Sequence, residues 1–236
     1  MVITVSREAE SGAEEIARLA AEREGLQVAD RAILERIAQQ EGTPVAHLSL
    51  FDETAPGTVE ALIVEWRTSI SQAVYLRRLV HILLLLERED NMLVMGRGAA
   101  FVLTDPGTLH VRMVAPMPCR IALVMQRQGV SRTVAERVLL RSDAERAKFV
   151  RQAFGGDIES PAHYDLVVNT AELSAETAAE IISLAAERKS ERRIAAATPD
   201  DFLSRMSRLR RRPRMPRVSE MTWERCQRRP LRPFAQ

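Results

Sequence analysis

At 236 residues, with 46% hydrophobic and 28% charged side chains, the chain has the composition of an ordinary globular protein, with room for one α/β domain and an appendage. Only 4% of the residues are aromatic, so the core must come from Leu, Ile, Val and Ala, and the best apolar run, Leu79 to Leu86, is too short for a membrane span and contains His81. The net charge of +2 hides an asymmetry: residues 188–236 hold 15 Lys or Arg against 5 Asp or Glu, leaving 19 against 27 in the body.

Val2 to Val5 is a short β-branched run that leads through Ser6 into a helical pattern with Ile16, Leu19 and Ala20 on one face. Leu26 to Ala29 predicts a second strand, and Asp30 caps a helix carrying Ile33, Leu34, Ile37 and Ala38. After a turn-rich interval through Gly42, Pro44 and Pro56, helical spacing runs from about Thr58 to Glu89, as one long helix or two in line. Strands are expected at Met92 to Met95, Leu109 to Ala115 and Tyr164 to Asn169. Helices are expected at Pro116 to Gln128, Ser131 to Phe154 and Ser174 to about Arg193.

Strands alternating with helices imply parallel pairing through crossovers, hence a doubly wound α/β sheet of about five strands flanked by helices. Ligands bind beyond the carboxyl ends of such strands, which directs attention to Ser6 to Gly12, Asp30 to Arg31, Gly96 to Gly98 and Pro116 to Arg120. The domain is expected to span 1–193. Residues 194–236 form an Arg- and Pro-rich extension with one short helix starting at Thr198-Pro199-Asp200-Asp201 and ending near Leu209.

The strand, loop and helix at the start of the chain occupy the place of a phosphate-binding loop, where free helix N–H groups meet an anion. The loop itself, Ser6-Arg7-Glu8-Ala9-Glu10-Ser11-Gly12-Ala13-Glu14-Glu15, has one glycine, no lysine and four glutamates, unlike GxxxxGK[ST]. Ser11 and Glu14 instead match a capping box, in which the helix satisfies its own end. A carboxylate about 5 Å from a phosphate charge costs roughly 3 kcal/mol at an effective dielectric of about 20, unless Mg²⁺ lies between them.

Arg97, between Gly96 and Gly98 at the end of the third strand, suits a phosphate through its paired donors. Equally, it caps the following helix or pairs with an acid. Arg137, Arg141, Arg146 and Arg151, with Asp143 and Glu145, either arm a mobile lid over a transferred phosphate or make a solvated helix face of i to i+4 pairs. Cys119 and Cys226 are too few and too far apart for a disulfide framework, and no His or Cys spacing supports a metal site. The first residues lack the pattern of a signal peptide, so the cytoplasm is the expected location.

Ile3-Thr4-Val5-Ser6-Arg7-Glu8, Ser11-Gly12, Glu15-Ile16-Ala17, Asp30-Arg31, Gly96-Arg97-Gly98-Ala99, Asp143 to Arg146 and Tyr164-Asp165-Leu166-Val167-Val168-Asn169-Thr170, in this order and spacing, resemble the cytidylate kinase-like family over residues 2 to about 187. The resemblance implies a P-loop nucleoside monophosphate kinase fold, a kinase that transfers phosphate to a nucleotide, with ATP and Mg²⁺ as donor and a pyrimidine monophosphate as acceptor. It implies Ser6, Arg7, Ser11 and Gly12 at the phosphate loop, and Asp30, Arg31, Gly96, Arg97 and Gly98 at the acceptor. It also implies Arg97, Arg141 and Arg146 as the groups acting on the phosphates. The family loop reads SRE-x-GSGGRE; here Glu10 and Ala13 replace glycines and Glu14 replaces an arginine. A catalytically silent relative that binds a nucleotide, a phosphorylated ligand or a partner protein is the alternative.

The tail's positive charge suits contact with the acidic body, a second copy or another protein. Nucleic acid is the weaker reading, because Trp223 and Phe234 are its only aromatics after Phe202. If the tail is an appendage, a chain cut at Ile194 keeps a cooperative thermal transition and loses only salt-sensitive binding to anionic resins or polymers. A non-cooperative melt of the shortened chain would place the tail in the core.

Overall fold

The computed structural model describes residues 1–29 and 72–196. The helix expected after Asp30, the first half of the long helix from Thr58, the helix from Thr198 to about Leu209, and the candidates Asp30 and Arg31 lie outside the described residues.

In chain order the described elements are β1 (Val2–Arg7), α1 (Ala13–Glu24), β2 (Gln27–Val28), α2 (Gln72–Glu89), β3 (Met92–Met95), α3 (Ala99–Val102) and β4 (Leu109–Val114). They continue with α4 (Met117–Gln128), α5 (Arg132–Phe154), a 3₁₀ turn (Pro161–His163), β5 (Leu166–Asn169) and α6 (Ala175–Ala196). The five strands make one sheet in the order β2-β3-β1-β4-β5, parallel at every pairing. This is the doubly wound sheet expected from the alternation of strands and helices.

β1 is buried along its whole length, as a central strand covered on both faces must be. It runs two residues past Val5 because Ser6 and Arg7 stand in register with Arg112 and Met113 of β4. Ser6 and Arg7 therefore belong to the strand end, and the loop proper is Glu8 to Gly12.

Successive residues of β1 serve opposite faces. Ile3 and Val5, with Leu93, Leu109, Val111, Met113 and Val168 of the neighbouring strands, pack on Ile16, Ala17, Ala20 and Ala21 of α1 and on Ala178, Ala179, Ile182 and Ala186 of α6. Alanine at so many contact positions lets both helices lie close to the sheet. The opposite set, Thr4 and Ser6 with His110 and Arg112, is polar yet buried. Thr4 Oγ1 meets His110 Nδ1 at 2.7 Å, and Arg112 donates to Ser6 Oγ at 3.1 Å.

In the order observed, the chain leaves β1 toward β2 and β3 but leaves β4 toward β5. The connections diverge between β1 and β4, so a crevice opens beyond the carboxyl ends of those two strands. The loop after β1, the start of α4 and the middle of α5 all border it.

Gly96, Arg97 and Gly98 form a second turn at the carboxyl end of β3, all three left-handed with φ of 71°, 56° and 69°. Glycine takes this conformation at no steric cost, whereas Arg97 carries a strain of the order of 1 kcal/mol. Gly98 is further fixed by packing, since a Cβ there would lie 2.1 Å from Phe154 Cε2 at the end of α5. Phe101 lies in turn against Gly156, where a Cβ would fall 2.5 Å from its ring, and it stacks on Phe154 with ring centroids 6.3 Å apart.

Gly98→Ala must therefore displace the Phe154 ring and strain the backbone together. A loss of about 2–4 kcal/mol in urea unfolding is expected, in the range of overpacked or strained core sites. Gly129→Ala is the control, with a similar φ of 66° but open space at its Cβ. Equal losses at the two positions would show that strain alone, without the ring, fixes the turn.

Candidate functional site

The loop from Glu8 to Gly12 is fastened to the crevice at both ends. Glu8 N–H donates to Met113 O at 3.1 Å, and the Glu8 carboxylate accepts Ala115 N–H at 2.9 Å. Further along, Ser11 O accepts the Thr170 hydroxyl at 2.6 Å from the end of β5.

Arg120, on α4 and only 4% exposed, ties the walls together. It donates to Ala115 O at 3.0 Å, Ala9 O at 3.2 Å and Asp143 Oδ2 at 2.5 Å, with the Glu8 carboxylate 3.6 Å away. Asp143 of α5 also accepts Ala9 N–H at 2.8 Å and the Arg146 guanidinium at 3.4 Å. One carboxylate thus closes α5 onto the loop by satisfying a loop N–H and two guanidiniums.

A pocket of about 170 Å³ lies inside these walls, lined by the guanidinium-bearing residues Arg7, Arg112, Arg120 and Arg146 and the acids Glu8, Asp143 and Glu159. Met117, Leu140 and Ile158 complete it. The Tyr164 hydroxyl donates to Ile158 O at 2.9 Å and lies 3.3 Å from Ser6 Oγ. Burial raises the Tyr164 pKa above its usual value, so the phenol is neutral at ordinary pH. Behind the pocket, Asp165 accepts His110 N–H at 2.8 Å and pairs with Lys189. Burial opposes its ionisation, but the Lys189 and His110 contacts outweigh that and lower its pKa.

The capping box expected of Ser11 and Glu14 does not form. Gly12, with φ 74°, is the residue that caps α1, and it has no side chain with which to bond the helix end. Glu14 instead accepts Arg7 Nε at 2.8 Å, a charge-assisted bond to a buried guanidinium that outcompetes a bond to a backbone amide. Ser11 Oγ is left buried without a hydrogen-bond partner. Glu10, at φ 56°, pairs with Arg127 of α4 at 2.8 Å.

Of the other residues singled out in the sequence, Ser6 and Arg7 lie at the crevice and Arg146 lines the pocket. Arg141 stands on the outer side of α5, 59% exposed, and donates to Glu145 at 3.1 Å, as the i to i+4 alternative anticipated. Arg97 donates to Ala29 O at 3.4 Å, which places its guanidinium at the exit of β2.

Arg112 and Arg120 were not among the sequence candidates. Arg112 had a signal: in Leu109-His110-Val111-Arg112-Met113 a histidine and an arginine alternate with apolar side chains in a strand that must be buried on both faces. Arg120 lies in the stretch from Pro116 flagged by topology, but nothing local separates it from Arg127. Among the described residues no group of three His, Cys, Asp or Glu side chains could hold a metal ion, and no helix is long and apolar enough to cross a membrane.

The sequence model of the cytidylate kinase-like family matches residues 2–172. A cytidylate kinase from Archaeoglobus fulgidus is 26% identical over 191 residues, covering 80% of this chain and 96% of the relative. One from Methanocaldococcus jannaschii is 24% identical over 189 residues, covering 78% and 97%. Among solved structures, an uncharacterized protein from Eubacterium ventriosum superposes with a TM-score of 0.60 at 16% identity, covering 79% of this chain and 98% of that one; this likeness shows the fold.

The ion pairs on α5 differ sharply in what they hold. Asp143→Ala leaves Arg120 buried with only part of its charge answered and is expected to cost about 2–3 kcal/mol in urea unfolding. The exposed pair of Arg141 with Glu145 should by contrast contribute less than about 0.5 kcal/mol, read from a double-mutant cycle of Arg141→Ala and Glu145→Ala. Similar small losses for both would remove Asp143 as the clasp between α5 and the loop.

Proposed function

The chain belongs to the cytidylate kinase-like family, and we propose that it transfers a phosphoryl group from ATP to a pyrimidine nucleoside monophosphate. The observation that carries this reading is the collection of Arg7, Arg112, Arg120 and Arg146 around one pocket, at the point where the connections of β1 and β4 diverge. Phosphoryl transfer needs positioning and neutralisation of charge spread over the phosphate oxygens, and it requires no covalent intermediate. Fixed guanidiniums in a partly water-excluded crevice supply both.

The residues of the loop suit a phosphate group. Ser11 Oγ is buried without a partner, and α1 begins at a left-handed Gly12, which has no side chain to cap its first N–H groups. Glu10 and Glu14, which would repel the donor, are each paired with an arginine, so the bare repulsion of roughly 3 kcal/mol per carboxylate is an upper limit. In this reading Ser6, Arg7, Ser11 and Gly12 form the donor side. Mg²⁺, when bound with ATP, supplies charge neutralisation between the phosphates. Arg97, held between Gly96 and Gly98, takes the acceptor's phosphate together with Asp30 and Arg31. Arg146 and Arg141 belong to the element that covers the reacting group, and cytoplasmic residence follows the nucleotide pools such an enzyme needs.

One observation favours the silent alternative. Asp143 already accepts the Ala9 N–H of the loop, a donor that a phosphate oxygen would otherwise use. The experiment is calorimetry with Mg²⁺-ATP on the full chain, with a coupled assay for ADP formation on addition of CMP. The kinase reading expects Mg²⁺-dependent ATP binding and CMP-dependent turnover, with Arg97→Ala weakening CMP while ATP binding persists. If the parent binds no ATP but Glu10→Gly with Ala13→Gly gains at least about tenfold, the loop excludes the donor and the kinase reading fails. Glu14 is left in place in that variant because it is the partner of Arg7.

A further inference from the structure

Three of the four arginines around the pocket have a carboxylate partner: Arg7 has Glu14, Arg120 has Glu8 and Asp143, and Arg146 has Asp143. Arg112 differs. It is only 6% exposed, and among the described residues its partners are the Ser6 hydroxyl at 3.1 Å and Tyr164, through its hydroxyl and its ring, whose centroid lies 5.8 Å from the Arg112 Cζ. Both are neutral groups.

A buried guanidinium with no counter-ion is costly, because hydroxyl and ring contacts replace only part of its hydration. Arginine does not relieve this cost by losing its proton. The phenol of Tyr164 cannot act as the counter-ion either, since burial raises its pKa. The cost is offset when an anion enters, and Arg112 lines a pocket large enough for a tetrahedral oxyanion together with a few waters, each of about 30 Å³.

We propose that Arg112 is the receiving group of an oxyanion site on the floor of this pocket, built to bind a phosphate, either free or as the terminal group of an ester. Ser6 and the Tyr164 ring hold the guanidinium in place while leaving donors of its fork for the anion. The neighbouring arginines add positive potential but are already paired, so Arg112 contributes the charge that the ligand completes. Glu159 at the rim is exposed, where solvent screens its repulsion. The site does not depend on the kinase reading: a chain that only bound a phosphorylated ligand would use the same guanidinium.

The test compares parent and Arg112→Met, both full length so that the basic tail is common to them, at constant ionic strength. Inorganic phosphate and CMP are the probes, read by thermal melting and by calorimetry. In buffer without phosphate, Arg112→Met should melt at the parent's temperature or above it, because an uncompensated buried charge has been removed. Phosphate or CMP should raise the parent's melting temperature by mass action; in the variant the shift with phosphate should vanish and the affinity for CMP should fall at least tenfold, any remaining CMP shift being the share held by Arg97. Response to both probes identifies a site for free oxyanion, and response to CMP alone identifies one for the ester; either supports the site if it requires Arg112. Equal responses in parent and variant overturn it, as does a variant destabilised to the same degree with and without the probes, which would make Arg112 a packing residue. Should Arg112→Met not fold, Arg112→Lys retains the charge and loses the fork. Phosphate affinity must then drop several-fold, and an unchanged affinity rejects the site. Loss of turnover plays no part in these readouts, so a chain without kinase activity can still pass or fail.

Discussion

Arg120 donates at once to the carbonyls of Ala115 and Ala9 and to the carboxylate of Asp143, and this one buried guanidinium sets the spacing of the loop, α4 and α5. Each of those partners lies in a different segment, so none can move without leaving a donor of Arg120 unsatisfied in a place shielded from water. The walls of the pocket follow from that constraint. So does the position of Asp143, which reaches the Ala9 N–H only because Arg120 and Arg146 hold its other lone pairs.

The acids of the loop take on a different meaning beside these pairs. Read as a string, four glutamates around a helix start oppose any phosphate. In the folded chain Glu8, Glu10 and Glu14 each answer an arginine, and one of those arginines comes from the loop's own strand. The loop is close to electrically neutral before any ligand arrives, where a glycine-rich loop offers bare N–H groups. A phosphate entering here gains less from the loop backbone and must gain more from side chains at the end of β4 and on α5.

Much of the fold was legible because its signals are local. Alternating strands and helices required parallel crossovers, which the sheet bears out. The turn at Gly96 to Gly98 was visible as a pair of glycines flanking one long side chain. The pairings were not legible, because they join residues far apart in sequence: Arg120 meets Asp143 across α4 and α5, and Arg112 meets Ser6 across two strands. The Ser11 and Glu14 pattern was misread for the same reason. The local motif was correct as a pattern, but Arg7, buried one strand residue before the loop, is a stronger partner for Glu14 than an amide at the helix end. Arg141 and Arg146, five apart on one helix, likewise look alike in the sequence, and only the packing of α5 sends one to solvent and the other to the pocket.

The two turns at the carboxyl ends of β1 and β3 are held in physically different ways. At Gly96 to Gly98 the backbone is strained, left-handed at three successive residues, and pinned by Phe154 from the end of α5. Strain held by packing fixes the starting point of the Arg97 side chain. At Glu8 to Gly12 geometry is fixed instead by ion pairs and by the bond from Ala9 N–H to Asp143. Both turns lean on α5, one through its aromatic end and the other through Asp143. A displacement of that helix would therefore reach both turns, through rigid aromatic packing on one side and a charged clasp on the other.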